Sequence, residues 1–276
     1  MSIEYLADAE VGTILDPKRL KGREPEKKIH LEQFVPLLKS GLKMMSRETN
    51  GHYGEILNEC GQITLVGPEA ESDQQLVEQQ EIAFAHGLSP EEYHRRRETN
   101  QAEIAEMTLA LLFNKLLGDR FLVARASSYD DFNNGVDLVI IDKTTGAVVC
   151  GVDDVVSHAA DISAPKKDEK MARKMKAGGA SIKYGATFDE GRLKRCSLRN
   201  IPTFHVAVSP VELEKIIIAL EGDEKASALP EVEVFERMIS SLEEQYKKLD
   251  DTDLDPKLKE NLQKFAASLE RIKKAR

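Results

Sequence analysis

An α/β fold is predicted: a central mixed sheet flanked by helices, preceded by a mostly helical N-terminal region and followed by a C-terminal helical hairpin. Three observations carry that prediction. Residues 127–157 hold two apolar runs, VDLVII and GAVVCGV, joined by the turn formers Asp142 to Gly146, which is the pattern of a β-hairpin. Helical apolar periods lie on both sides of this hairpin, and a further apolar strand follows at 203–208, so helices and strands alternate as they do in layered α/β folds. Beyond Pro230 the apolar spacing becomes purely helical again.

In chain order, Asp16-Pro17 and the charged GREPEKK stretch read as turns, and LEQFVPLLKSGLKMM reads as a helix that starts or kinks near Pro36. Asn50-Gly51 marks a turn, Gln62 to Val66 a short strand, and residues 71–87 a polar helix. Ser89-Pro90-Glu91-Glu92 is a helix start, with a capping serine, proline at the first helical position and glutamate three residues after the cap. The next helix spans about Gln101 to Leu117 and ends at Gly118-Asp119, before a strand from Phe121 to Ala126. Past the 127–157 hairpin come a basic helix over 166–177 and a strand over 181–188, with Ile182, Tyr184, Ala186 and Phe188 on one face. A strand at 203–208 and a helix started by Ser209-Pro210 and reaching Leu220 complete the core. The expected division is residues 1–98, mostly helical; 99–222, the α/β core; and 228–276, a helical hairpin that packs on the core or forms a homodimer.

The chemistry concentrates in acidic residues that interrupt apolar runs. Asp153 and Asp154 sit inside a run that is apolar on both faces, and a carboxylate desolvated there costs several kcal/mol, roughly, without a compensating cation or donors. Asp137 opens the first arm directly after the turn Asn133-Asn134-Gly135. Alternation lets Asp137 and Asp153 meet across the hairpin. Two such carboxylates repel unless a divalent cation such as magnesium lies between them. In the helix over 101–117, Glu106 falls within the apolar sector of Ala105, Leu109, Leu112, Phe113, Leu116 and Leu117, and Glu103 lies at its edge. A charge inside a packed stripe requires either a role or a basic partner.

A helix carrying a glutamate, a strand, "GVDLVIID", a turn, "VVCGVDD" and then a basic helix together resemble the core of the PD-(D/E)XK nuclease superfamily, over roughly Gln101 to Leu220. The resemblance implies a restriction-endonuclease-like core. It also implies Mg²⁺ or Mn²⁺ on Asp137 and on Asp153 or Asp154, a helix glutamate at the site, for which Glu106 comes before Glu103, and hydrolysis of nucleic-acid phosphodiesters. The superfamily's lysine position holds Val155, or Val156 if Asp154 is the second acid. The ammonium must then come from elsewhere, with Lys183 first and Lys170 and Lys174 next. His158 and His205 are weaker candidates, as a lone histidine is more often hydrogen-bonded structure.

The chain carries 32% charged residues, 5% aromatics and a net charge of −9. No apolar run approaches the ~20 residues of a membrane-spanning helix, and the N-terminal MSIEYLADAE lacks the pattern of a signal peptide. Three cysteines at unrelated spacings fit reduced thiols and a cytoplasmic setting. Charge distribution matters more than its sum. Residues 165–200 hold eleven basic and four acidic side chains, +7 within a chain whose remainder is −16. That strip, with Lys166, Lys167, Lys170, Arg173 and Lys174 at its start, suits a DNA or RNA backbone. Phosphate-cradling glycine motifs, paired-histidine zinc motifs and GxSxG elements are absent from the sequence. Two rivals to cleavage are a nucleic-acid-binding module without turnover, which the missing lysine motivates, and a structural protein assembled through its helical tail.

Overall fold

Pro36 opens the first long helix: a 3-10 turn (Leu31–Phe34) leads into α1 (Val35–Tyr53) with the proline in its first turn, where its missing N–H breaks no bond. The structure is a computed structural model and describes residues 30–156, 164–222, 229–249 and 253–274, without the side chains of residues 154, 155, 164–168 and 229. His158 and the turns expected before residue 30 lie outside the described residues, as do the side chains of Asp154, Lys166 and Lys167.

Helices α2 (Ala70–Phe84) and α3 (Pro90–Glu98) follow, and Ser89 caps α3 by accepting the Glu92 N–H at 3.2 Å. The stretch around Gln62 is not a strand; it contributes only isolated bridges, Leu57 to Ile63 and Gln62 to Arg125. Asn100 caps α4 (Gln101–Leu117), which is buried on nearly every side, and β1 (Phe121–Arg125) comes next. The segment read as a plain turn before Asp137 is a short helix, α5 (Ser128–Asn134), capped by Ser127 and ended by Gly135 in the left-handed region at φ 56°. Then come β2 (Leu138–Asp142), β3 (Val148–Val156), α6 (Ala164–Lys176), β4 (Ala180–Asp189), β5 (Arg192–Ile201), β6 (Thr203–Val208) and α7 (Pro210–Glu221). Ser209 and Glu212 form a reciprocal capping box at the start of α7. The tail is α8 (Leu229–Lys247) and α9 (Pro256–Lys274).

The central sheet has the order β1-β2-β3-β6, with β1, β2 and β3 antiparallel and β6 parallel to β3. This is the expected mixed sheet flanked by helices. The strand expected at 181–188 does not enter it. β4 pairs instead with β5, a strand the sequence reading did not identify, in a separate two-stranded sheet. That hairpin covers one face of the central sheet, where Ile182, Ala186 and Leu193 pack with Leu122, Val139 and Ile141. α4 packs against β1 and β3. Strands β1 and β2 are consequently buried along their whole length, which explains their near-continuous apolar composition.

The residues from Leu31 onward form one compact unit that includes the tail. Phe265 of α9 stacks on Phe204 of β6 with ring centroids 4.4 Å apart, and Arg271 pairs with the buried Asp142. The side-chain amide of Gln245 on α8 accepts the His205 N–H at 3.0 Å and donates to the His205 carbonyl at 2.7 Å. Arg237 donates to the carbonyl of Ala207 at 3.1 Å. These side chains occupy the open edge of β6, which would otherwise invite pairing with another chain. With Met238, Leu242, Leu258 and Leu269 buried against this chain, the tail's observed role is packing.

Candidate functional site

The antiparallel register pairs Leu138 with Val152, and the Asp137 N–H extends the ladder by donating to the Val152 carbonyl at 2.9 Å. The paired positions end there: Asp137 lies just before β2, and Asp153 follows Val152 on β3. Both residues are half-buried and line one cleft of about 770 Å³. Local sequence builds this arrangement. Gly135 turns the chain out of α5, and Val136 then packs so closely on β3 that a Cβ at Gly151 would lie 2.9 Å from its methyl. Glycine at 151 therefore lets the residue just before Asp137 seat against the strand that carries Asp153.

The helix glutamates reach the same cleft, but a basic partner already holds them. Arg125, at the end of β1 and only 2% exposed, donates from Nε to Glu106 at 3.0 Å and from Nη2 to Glu103 at 2.6 Å. A second oxygen of Glu106 lies 3.0 Å from the same Nη2. Burial pushes the Glu106 carboxyl up and Arg125 opposes that shift. Asp131 of α5 adds a further carboxylate, pushed up to about 8 by burial and by the charges of Glu106 and Asp137. Arg97 of α3 pairs with Glu81, lies 3.5 Å from Asp131 and 3.7 Å from Glu103, and sits over the Phe132 ring at 5.0 Å.

The lysines divide differently from expectation. The Lys183 ammonium is held by Glu69 and by Asp73, the latter at 2.5 Å, in a second pocket of about 400 Å³ lined also by Tyr184 and Arg195. It lies apart from the acid cleft because β4 belongs to the outer hairpin and not to the central sheet. Lys174 of α6 is held at the turn that leads into Asp137. Its Nζ donates to the carbonyls of Asn134 at 2.5 Å and Gly135 at 2.9 Å. Burial lowers its pKa, and the charges of Asp153 and Asp137 pull the other way.

Asp153 pairs with His205 and Asp154 with Val206 in the backbone register of β3 and β6. The basic residues divide between α6 and the β4–β5 hairpin. Lys170, Arg173 and Lys176 are exposed on α6, whereas on the β4–β5 hairpin Lys183 is ion-paired, Lys194 pairs with Asp189 and Arg195 donates to the Thr64 carbonyl at 2.6 Å. Among the described residues no three His, Cys, Asp or Glu side chains form a metal-holding group.

Arg125, Arg97, Asp131, Phe84 and Phe132 were not identified from sequence. Arg125 carries a readable signal, since an arginine closing the apolar strand FLVAR is the kind of partner a glutamate in an apolar helix stripe demands. The others carry none, because their positions depend on α2, α3 and α5 meeting over the hairpin. No family model, no curated protein and no solved structure matches this chain.

Proposed function

We propose that this protein is a metal-dependent, nuclease-like hydrolase of DNA or RNA phosphodiesters, with Asp137 and Asp153 as its acid pair. The observation that carries the reading is the shared cleft, which two half-buried carboxylates, Asp137 and Asp153, line together. Support for the PD-(D/E)XK resemblance comes from the order α4, β1, β2, β3, α6, β6 with β6 parallel to β3. In that reading the β4–β5 hairpin is an insertion between the crossover helix and the last core strand.

The donor chemistry fits a hard divalent cation, because Mg²⁺ retains several waters and commonly takes only one or two protein carboxylates. Asp137 and Asp153 would hold it, with no third ligand among the described side chains. When bound, Mg²⁺ or Mn²⁺ supplies Lewis-acid polarisation of a phosphoryl oxygen and acidifies a coordinated water. Lys174 replaces the ammonium that Val155 lacks. Two backbone carbonyls fix its Nζ beside the acids, where it attracts phosphate oxygens and, with its pKa lowered by burial, exchanges a proton more readily. Glu106 and Glu103 act through Arg125, anchoring the wall of the cleft. The exposed Lys170, Arg173 and Lys176 of α6 receive the nucleic-acid backbone.

A second reading, a binding module without turnover, is favoured by one observation, Val155 at the strand position where the resemblance asks for lysine. Calorimetric titration of Mn²⁺ into the wild type and an Asp137→Ala, Asp153→Ala variant, with a low-salt cleavage assay on mixed DNA and RNA, separates the readings. Saturable uptake lost in the variant together with cleavage that Lys174→Met removes supports the hydrolase. Salt-dependent nucleic-acid binding without cleavage selects the module, and failure to take up metal overturns the acid-pair reading.

A further inference from the structure

We infer that the mouth of the acid cleft is a stacking site for an unpaired nucleobase, built on Phe84 and Phe132, so that the substrate class is single-stranded nucleic acid or an unpaired end. The inference rests on the nucleic-acid reading above and narrows it.

Three observations converge on the cleft mouth. The first is aromatic enrichment. The chain has nine phenylalanines, six tyrosines and no tryptophan, yet Phe84, Tyr93 and Phe132 all line this one cleft with Asp137 and Asp153. The second is exposure. Phe84 ends α2 with 59% of its surface open to water, although α2 buries little and a phenyl ring left in solvent is unfavourable. A ring whose only task was to pin α2 to α5 would be covered by that contact. Phe84 pairs with Phe132 at a centroid distance of 6.1 Å and a 30° tilt and still leaves more than half of its surface in water.

The third observation is the charge beside the rings. The Arg97 guanidinium lies 5.0 Å from the Phe132 centroid, while Arg96 on the same wall, 66% exposed, is held only by an exposed pair with Glu92 at 3.5 Å that a phosphate can displace. Immediately after Phe84, His86 and Gly87 adopt positive φ angles of 47° and 86°, a sharp reversal that lays Ala85, His86 and Leu88 along the wall. Aromatic faces beside cations are how proteins hold single strands, because every base has a π-face and every nucleotide a phosphate. A duplex does not satisfy such a site. Its base faces are covered by their neighbours in the stack and only edges remain accessible, so a base that meets Phe84 has left the helix.

The test uses the full-length protein with calcium in place of magnesium to hold back turnover. The probes are a single-stranded oligodeoxynucleotide and an oligoribonucleotide, each carrying one 2-aminopurine whose fluorescence falls on stacking, and a blunt DNA duplex of the same sequence. The expected results are preference for single strands over the duplex, quenching by the wild type, and for Phe84→Ala an affinity about tenfold weaker with the fluorescence restored. Phe84→Tyr should retain both quenching and affinity, and unchanged circular dichroism shows that the exposed position tolerates the change. Equal affinity for single strands and duplex, or Phe84→Ala binding and quenching like the wild type, overturns the stacking site and leaves the nucleic-acid reading standing. Binding of neither single strands nor duplex overturns the nucleic-acid reading, and the stacking site with it.

Discussion

The C-terminal pair α8 and α9 and the N-terminal pair α2 and α3 are both helical additions to the sheet, but they are held by opposite means. α8 and α9 bury apolar stripes: Phe235, Met238, Leu258 and Phe265 are each nearly sealed from water. Along α2 only Asp73 and Val77 are buried, and no residue of α3 is. The N-terminal pair is instead latched by polar contacts, among them Arg97 to Glu81, Lys183 to Glu69 and Asp73, and the Tyr184 hydroxyl to Asp73. Apolar burial stabilises in proportion to area and independently of geometry, whereas partly exposed ion pairs contribute little and release easily. The loosely held pair is the one that walls the acid cleft, which is where a protein draws on elements of low local stability.

That contrast can be broken at the stable end first. Phe265→Ala removes a fully buried ring from the α9 contact with β6 and should cost about 4 kcal/mol in urea unfolding. A loss near zero would show that the tail is an appendage and not core. Where the cleft wall meets the core, Arg125→Met strands the Glu106 and Glu103 carboxylates. The expected cost is about 3 kcal/mol, toward the low end for a broken buried pair because Glu103 keeps some contact with water. If adding Glu106→Gln to Arg125→Met recovers none of that loss, unpaired charge is not its cause.

A smaller effect comes from Asp131. Its carboxyl is raised, so folding favours the protonated form, and the stability this contributes is lost as pH rises through about 8. Metal-free wild type should therefore weaken by about 1 kcal/mol between pH 7 and pH 9, and Asp131→Asn should flatten that slope. Parallel pH profiles for the two proteins would remove Asp131 as the titrating group. The smallest global change, under about 1 kcal/mol, is expected for Arg97→Ala, since its ion pairs are partly exposed. Its signature is local: amides of α2 and α3 should exchange with deuterium faster while those of α8 and α9 stay unchanged. Uniform acceleration would show that the two pairs do not differ in the way their packing implies.

Much of the architecture was legible from the chain itself, because the signals involved act over a few residues. The caps at Ser89 and Ser209, the 101–117 helix with its misplaced Glu106, the hairpin arms at 138–142 and 148–156 and the two tail helices all announce themselves through spacing and turn chemistry. Asp137 and Asp153 stand out in the same way, as acids interrupting apolar runs, and both line the cleft. Other elements carried no clear local pattern. α5 is only seven residues long, too short to show a period, and β5 is loaded with charge and pairs with β4 through register shifts that blur its alternation.

What the sequence alone determined, then, is the set of elements whose signal is local. Tertiary packing decided the rest. It sent β4 to pair with β5 outside the central sheet, which carried Lys183 to Glu69 and Asp73 and left Lys174 beside the acids. It also brought Arg125 to Glu106 and Phe84 to Phe132, residues 19 and 48 positions apart, through the packing of α4 on β1 and of α2 on α5. The physical reason is that capping and periodicity are written into neighbouring residues, while the partner of a buried charge or an exposed ring is chosen by whichever distant surface the apolar faces bring against it.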